Sequence, residues 1–268
     1  MMPSELISAC SAELWRAESD RLPIETLSSR HALLGIDEAY AIAAQTRKTR
    51  GAKAVGFKLG YTSAAMRQQM NISEPNYGVL TTDHLLSNAD GSIDNLVNID
   101  ELIHPLVEPE IALLIGKDIS GADHSAFSVR PAVDAVMPAL EIVDTRYKAY
   151  AFTLADNIAD SSSAARVVLG APTSLAQAAD LRTCGVLLWS RGRCLDSGLG
   201  ANSMGDPLNA LAWLANFLSQ KGEVIPAGAV IITGGLTKAQ PAQKDQSFVA
   251  EFSGLACVKV HFEGRHTS

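Results

Sequence analysis

Two glutamates lie two residues apart inside an otherwise apolar stretch, Leu106–Ile115. On a β-strand, Glu108 and Glu110 would share one face, because alternate side chains point to the same side. Neighbouring carboxylates in apolar surroundings repel each other and lose hydration, so they need a cation, a shared proton or full exposure. Pro109 favours exposure on an edge strand, since proline avoids central strands. The stretch therefore leaves a cation site and an exposed edge open.

A third acid of the same kind favours the cation site. Glu141 is a lone carboxylate inside the apolar segment 137–143. Three carboxylates, with the remaining positions left to water or substrate oxygens, suit Mg²⁺ or Mn²⁺, which prefer octahedral oxygen coordination. The four cysteines form no C-x-x-C pair, so no sulfur cluster competes for a softer metal.

A lysine between two glycines is the third candidate for chemistry. In segment 55–61, Lys58 shares a strand face with Gly56 and Gly60. Glycines allow something to approach the backbone closely, and a lysine there could neutralise, orient or protonate an anionic ligand. The alternative is a surface lysine beside glycines at a bend of the sheet.

The elements that must position these residues begin with helices. Ser4 can cap a helix whose apolar positions recur with a helical period as far as Trp15. A second helix is predicted from Asp37 and should end at the basic run before Gly51.

The remainder of the chain has the pattern of a β-rich body. Short alternating runs separated by Gly, Pro, Asn and Asp are typical of strands. One interior helix is predicted after Asp206, with Pro207 in its first turn and Gly222 at its end. We predict an α+β fold, with an N-terminal helical segment over 1–52 and a catalytic β-rich domain over 53–268. The predicted strands cover 55–61, 107–115, 140–143, 186–189, 230–233, 248–252 and 255–262.

Composition excludes several classes of protein. With 22 Lys and Arg against 29 Asp and Glu, the net charge of -7 argues against a nucleic-acid partner. No apolar run approaches the roughly 18 residues of a membrane span, and the first residues lack the basic start of a secretion signal. We therefore expect a soluble, cytoplasmic protein without membrane contact.

Five segments together resemble the hydratase/decarboxylase branch of the fumarylacetoacetate hydrolase superfamily. These segments are GFKLGYTS at 56–63, EPNYG at 74–78, EPEIA at 108–112, PALEIVD at 138–144 and AD at 159–160. They occur in the order found in the family and span nearly the whole chain. The branch comprises 2-oxopent-4-enoate hydratases and 4-oxalocrotonate (2-oxo-3-hexenedioate) decarboxylases of aromatic meta-cleavage pathways.

The resemblance implies a fold and a set of site residues. It implies a mixed β-roll body with an N-terminal helical segment, a Mg²⁺ or Mn²⁺ ion and a small anionic 2-oxo acid substrate. Glu108, Glu110 and Glu141 match the metal ligands of the family, and Lys58 matches its active-site lysine. The resemblance also implies a homo-oligomer, or a complex with a hydratase or decarboxylase partner.

Local features of the chain favour the decarboxylases. Segments 101–105, 144–147 and 233–237, together with Arg166, look more like decarboxylases than hydratases. Asn76 stands where the hydratases carry an aspartate that could activate water. We therefore expect a metal-dependent lyase that decarboxylates 2-oxo-3-hexenedioate to 2-hydroxypenta-2,4-dienoate. The alternatives are a hydratase that gives 4-hydroxy-2-oxopentanoate, a non-catalytic partner subunit and a hydrolase of the fumarylpyruvate type.

Four residues complete the predicted site as substrate contacts. Ser163 and Asn76 follow from the family motifs, although Ser161 departs from the asparagine that the family carries there. Arg146 and Arg166 could contact the distal carboxylate of the substrate. For both arginines the alternative is an ordinary ion pair near the surface.

Overall fold

Two helices form the N-terminal part of the protein. The computed structural model describes residues 2–64, 67–68, 72–86 and 94–264. Helix α1 spans Ser4–Asp20 and helix α2 spans Ile36–Arg50, which confirms both predicted helices to within one residue at their starts. Helix α2 carries three basic residues in its last turn and ends at Gly51, whose φ of 72° is the left-handed conformation that glycine adopts most easily.

Three further α-helices of short or medium length lie wholly within the described residues. They are α3 (Ala126–Val129), α4 (Leu154–Ala159) and α5 (Pro207–Ser219). The Asp206 carboxylate accepts a hydrogen bond from Leu208 N at the start of α5, as the sequence predicted. None of the helices in the described part of the chain is both long and apolar enough to cross a membrane.

Strands dominate the rest of the described chain and confirm the α+β prediction. The pattern analysis missed the strands at 76–81, 85–86, 94–98, 164–169, 173–174, 193–199 and 240–241, and the first seven residues of the strand at 133–143. The strands are β1 (Ala54–Gly60), β2 (Asn76–Thr81), β3 (Leu85–Leu86), β4 (Asp94–Asn98), β5 (Leu106–Ile115), β6 (Val133–Val143), β7 (Ala164–Leu169), β8 (Thr173–Ser174), β9 (Gly185–Ser190), β10 (Arg193–Leu199), β11 (Val230–Ile232), β12 (Gln240–Pro241), β13 (Gln246–Phe252) and β14 (Val258–Glu263).

Within the described residues, the strands form two mixed sheets. The larger has the order β2-β1-β11-β5-β6-β7-β3, with β12 also paired to β5 and β8 to β6. The smaller has the order β10-β9-β13-β14-β4. Most neighbours are antiparallel, whereas β1–β11, β3–β7 and β4–β14 are parallel. This topology excludes a doubly wound parallel sheet.

Strand β5 lies inside the larger sheet, between β11 and β6. The edge-strand alternative for its two glutamates is therefore wrong. Pro109 is tolerated there because it falls between the residues that pair with β12 (Leu106 and Val107) and those that pair with β11 (112–114). At this gap the Pro109 carbonyl accepts a hydrogen bond from Leu236 N.

Of the three apolar clusters among the described residues, one lies within the larger sheet and two join different parts of the fold. The larger cluster includes residues of both sheets and the buried face of α5. A second cluster joins α1 and α2 to the body, where Leu14 and Ile42 pack with Tyr147 and Ile158. The helical segment is thus anchored by a shared core. The domain boundary at residue 52 stays a prediction.

Candidate metal centre and active site

The register between β5 and β6 brings the three glutamates together. Glu108 lies directly opposite Glu141 in the antiparallel pair, and Glu110 lies two residues further along β5 on the same face. Each residue offers one carboxylate oxygen, and these oxygens lie within 4.8 Å of one another. The local alternation of β5 and the pairing with β6 therefore assemble the acidic cluster.

The cluster contains buried oxygens without a donor. Glu110 and Glu141 are fully buried, and Glu108 is partly exposed. Gly234 N donates to Glu110 Oε2 over 2.6 Å. Within the described residues, Glu110 Oε1 and both oxygens of Glu141 have no hydrogen-bond partner. Buried acceptors without donors are costly, and an all-oxygen set of this kind fits a hard divalent cation.

Burial and mutual repulsion shift the acidity of the cluster. Burial, followed by repulsion from Glu141, raises the pKa of Glu108 to about 7. The same two causes raise the pKa of Glu110 well above its ordinary range. Without a cation, the cluster therefore retains protons near neutral pH, and a divalent ion would have to displace them.

Lys58 provides a positive charge next to the three glutamates when no metal is bound. Its Nζ lies 3.1 Å from Glu141 Oε1 and donates a hydrogen bond to the Ser162 carbonyl over 2.8 Å. Burial opposes the charge of this amine, but attraction to the three glutamates more than compensates and raises the pKa of Lys58. Lys58 is 4% exposed, so the alternative of a surface lysine is wrong.

The glycines around Lys58 make room for a tight turn of the protein itself. This serine turn, Ser161–Ser163, has positive φ values of 50°, 55° and 57°. A Cβ on Gly60 would lie 2.6 Å from Ser162 Oγ, and a Cβ on Gly78 would lie 2.2 Å from Ser161 O. The close approach predicted from the sequence is therefore made by the serine turn, against β1 and β2.

A chain of side-chain hydrogen bonds supports the serine turn. Ser162 Oγ donates to Asn76 Oδ1 over 3.0 Å, and Asn76 Nδ2 donates to Asn157 Oδ1 over 2.7 Å. Asn157 Nδ2 then donates to Ser163 Oγ over 3.1 Å. Asn157 was not predicted, because an asparagine inside a short helix carries no pattern that marks it as functional.

These groups face one cavity of about 400 Å³. Its polar wall includes Lys58, Glu108, Asn157 and Ser163, whereas Asn76 lies behind that wall, in contact with Ser162 and Asn157. A cavity of this size and mixed lining suits a small organic acid. The apolar side chains of the wall include Leu106, Val143, Tyr150, Phe152 and Leu236.

The segment after β11 connects the metal cluster to the outer part of the cavity. Gly234 binds Glu110 at one end of this segment. At its other end, Lys238 N donates to Asp196 Oδ2 over 3.0 Å, and the exposed Lys238 contributes to the cavity wall. No sequence signal identified Lys238 or Asp196, because distant parts of the chain bring them together.

The two predicted arginine contacts are not at this cavity. Arg146 is buried, forms an ion pair with Asp160 and donates to the carbonyls of Asp144 and Ala164. Arg166 Nη2 lies 3.1 Å from Glu101 Oε2. Neither arginine lines the cavity, so the structure contradicts their predicted contact with substrate. The alternative of an ion pair near the surface fits Arg166, whereas the ion pair of Arg146 is buried.

Comparisons with known proteins agree with this site. No protein-family model matches the chain. It is 34% identical to a 4-oxalocrotonate decarboxylase of Pseudomonas putida, over 96% of this chain and 97% of that protein. It is 32% identical to a 2-keto-4-pentenoate hydratase of Paraburkholderia xenovorans, over 98% of this chain and 97% of that protein.

Solved structures show the same relationship. The structure of 4-oxalocrotonate decarboxylase from Pseudomonas putida G7, complexed with magnesium and adipate, matches with a TM-score of 0.92 at 32% identity, over 98% of this chain and 99% of that chain. A fumarylpyruvate hydrolase from Pseudomonas aeruginosa shares the fold, with a TM-score of 0.61 at 14% identity over 79% and 90% of the two chains. The mixed β-roll fold predicted from the resemblance is thereby confirmed.

The first prediction concerns the charge of the acidic cluster. Glu110→Gln should abolish tight binding of Mg²⁺ or Mn²⁺, because a carboxamide of the same shape lacks the charge that balances the cation. Calorimetric titration with either ion measures this loss, and circular dichroism checks the fold. The exposed Glu5→Gln serves as a matched control. Unchanged metal affinity in Glu110→Gln would contradict the assignment.

The second prediction concerns pH. Because the pKa of Glu108 is raised to about 7, metal affinity should weaken as pH falls through that value. A carboxyl group whose pKa folding raises destabilises the metal-free protein as pH increases. Mg²⁺ should therefore raise the melting temperature more at about pH 8 than at about pH 5.5. Equal metal affinity at the two pH values would refute this expectation.

Proposed function

The chain belongs to the family of 4-oxalocrotonate decarboxylases and 2-keto-4-pentenoate hydratases, and we propose that it decarboxylates 2-oxo-3-hexenedioate to 2-hydroxypenta-2,4-dienoate. The observation that carries this proposal is the glutamate cluster with unpartnered buried oxygens, which lies beside Lys58 at a cavity suited to a small acid. The full-length similarity to a decarboxylase complexed with magnesium and adipate supports it.

The substrate requires a site that stabilises negative charge. A 2-oxo-3-enedioate is a vinylogous β-keto acid, so the electrons released with its distal carboxylate run through the double bond to the 2-oxo oxygen. Mg²⁺ or Mn²⁺ held by Glu108, Glu110 and Glu141 would supply positive charge where the substrate oxygens become negative. The three carboxylates suit either ion, and we propose Mg²⁺ or Mn²⁺ as the cofactor.

Lys58 acts from the side of the cavity next to the cluster. An ammonium group carries three N–H donors. Within the described residues, Ser162 O accepts one of them, and Glu141 Oε1 lies 3.1 Å from Nζ as an ion-pair partner. A remaining donor is available to an anionic substrate oxygen, because Lys58 lines the cavity. We assign Lys58 the role of orienting the substrate and stabilising its developing negative charge.

The rest of the cavity suits loss of a carboxylate. Tyr150, Phe152 and Val143 present largely apolar surface, which disfavours a charged carboxylate relative to neutral CO₂. The exposed Lys238 adds a second positive charge to the wall. Since Arg146 and Arg166 face elsewhere, Lys238 replaces them as our candidate for attracting the distal carboxylate.

Hydration of the dienol remains the second candidate, because hydratases are also relatives at 32% identity. A hydratase needs a group that activates or positions water. Among the described residues that line the cavity, the carboxylates are Glu108, in the metal cluster, and Asp196. Both oxygens of Asp196 already accept from the backbone N–H groups of Ser197 and Lys238. The amide of Asn76 supplies no base, so the site favours decarboxylation.

Two further expectations concern the context of the enzyme. We propose that it works in the cytoplasm as a homo-oligomer, or in a complex with a hydratase or decarboxylase partner. The family resemblance supports the association. A non-catalytic subunit is disfavoured, because Lys58, Glu108, Glu110 and Glu141 are all present and assembled. A hydrolase of the fumarylpyruvate type stays without support, as no His–acid pair accompanies the cluster within the described residues.

The third prediction tests the reaction. With 2-oxo-3-hexenedioate and Mg²⁺, the enzyme should release CO₂ and consume the enedioate, and EDTA should abolish both. Ultraviolet absorbance follows the substrate, and a coupled assay measures CO₂. The parallel reaction contains 2-hydroxypenta-2,4-dienoate as substrate. Rapid hydration of this dienol without CO₂ release from the enedioate would identify a hydratase and overturn the proposal.

The fourth prediction concerns Lys58. Lys58→Met should lower kcat on the order of 100-fold, as expected for loss of a preorganised charge at the reacting oxygens, while metal binding persists. Steady-state kinetics and metal titration measure the two effects. Lys53→Met, which removes an exposed lysine of the adjoining segment, is the matched control. Loss of metal binding in Lys58→Met would mean that the lysine supports the cluster instead.

A further inference from the structure

The hydrogen bonds behind the cavity run in one direction. The Ser162 hydroxyl is buried, and Asn76 Oδ1 is its acceptor among the described residues. Asn76 must therefore turn its NH₂ group towards Asn157 Oδ1. Asn157 in turn donates from Nδ2 to Ser163 Oγ. Reversing both amides would leave the buried Ser162 hydroxyl without this acceptor, which costs free energy.

With these hydrogen-bond directions, neither of the two amides accepts the hydroxyl proton of Ser163. Ser163 Oγ accepts from Asn157, so its own O–H must point elsewhere. Asp160 Oδ2 lies 3.4 Å away, which is long for an O–H···O bond. That oxygen already accepts from Thr145 Oγ1 over 2.9 Å and from Arg146 N over 3.1 Å. Ser163 also lines the cavity, where a closer acceptor would compete for its proton.

We propose that Ser163 donates its hydroxyl proton to an anionic oxygen of the substrate, and that Asn76 is the positioning residue that keeps this donor available. The proposal rests on the proposed function for the identity of the substrate. It adds a link between two residues that do not touch: Asn76 reaches Ser163 through Asn157.

An aspartate at position 76 would reverse the donor and acceptor roles along this series of side-chain hydrogen bonds. An ionised carboxylate only accepts hydrogen bonds, so Asp at this position would take one from Ser162 Oγ and one from Asn157 Nδ2. Asn157 would then face Ser163 with its carbonyl oxygen and capture the Ser163 proton. Ser163 would offer the cavity lone pairs instead of a donor. Such a site suits a proton-donating ligand such as water better than an anion.

The residue at position 76 thus bears on the choice between the two reactions of the family. A hydroxyl donor stabilises the carboxylate and enolate oxygens of a decarboxylation. A hydroxyl acceptor would help to hold a water molecule for hydration. The asparagine in this chain leaves the Ser163 hydroxyl as a donor. This agrees with the decarboxylase assignment, and the argument does not depend on the metal ligands.

A double-mutant cycle tests the link. Ser163→Ala, Asn76→Asp and the double variant are compared with the wild type in the presence of Mg²⁺. The readouts are kcat/KM for 2-oxo-3-hexenedioate and the calorimetric affinity for adipate, an unreactive dicarboxylate. Asn209→Asp, an exposed change of the same type on α5, is the matched control. Circular dichroism and Mg²⁺ titration check that each variant is folded.

Each single variant should lose about tenfold in both readouts, the scale of a hydrogen bond to a charged group. In the Ser163→Ala background, Asn76→Asp should change kcat/KM and adipate affinity by less than about twofold. The reason is that the Ser163 hydroxyl, whose proton the aspartate would divert from the substrate, is already absent. A merely structural or charge effect of Asn76→Asp on Lys58 would instead persist in that background. Such persistence, or an inert Ser163→Ala, would overturn the proposal.

Two provisions keep the test decisive. If Asn76→Asp fails to fold, Asn157→Asp captures the Ser163 proton by a second route, since its carboxylate would accept from both Asn76 Nδ2 and Ser163 Oγ. If the wild type releases no CO₂, the proposed function is wrong, yet the adipate affinities still decide whether Ser163 is a donor that depends on Asn76.

Discussion

The structure depends on the placement of three carboxylates beside one another, two of them fully buried. Such a cluster is unstable in a low-dielectric interior unless positive charge compensates it. Lys58 supplies a single charge, 3.1 Å from Glu141, and leaves three buried glutamate oxygens without hydrogen-bond donors. A bound cation would supply the remaining compensation, and without one the cluster retains protons near neutral pH. The same imbalance that destabilises the metal-free cluster therefore creates affinity for a divalent ion.

Holding Lys58 in place imposes the next constraint. The lysine needs an acceptor at the bottom of the cavity, and the Ser162 carbonyl provides it. That carbonyl belongs to a turn of three consecutive serines with positive φ, a backbone conformation that costs energy for residues other than glycine. The backbone can approach closely because Gly60 and Gly78 lack side chains. A buried ion pair between Arg146 and Asp160 supports the turn from behind.

The sequence predicted what depends on local spacing and missed what depends on distant contacts. Alternation along a strand suffices to place Glu108 and Glu110 on one face, and the pairing with β6 then adds Glu141. The arginines were misassigned because a sequence does not show whether a guanidinium faces a cavity or an internal carboxylate. Asn157 and Lys238 carry no local signal at all. Strand β7 escaped the pattern because its sequence, Ala-Ala-Arg-Val-Val-Leu, does not alternate between polar and apolar residues.

Relatives with two different activities resemble this chain at 34% and 32% identity, so overall similarity discriminates weakly between them. The glutamate cluster and Lys58 serve the part of the chemistry that both reactions share, stabilisation of negative charge on a 2-oxo acid. The difference must then arise from groups that decide whether the cavity offers an anion a donor or offers water an acceptor. A serine hydroxyl can do either, and its buried partners determine which. In this fold the amide of Asn157 contacts Ser163 and the amide of Asn76 orients Asn157, so a change of one atom at position 76 is sufficient to reverse the hydrogen-bonding character of the site without altering its shape.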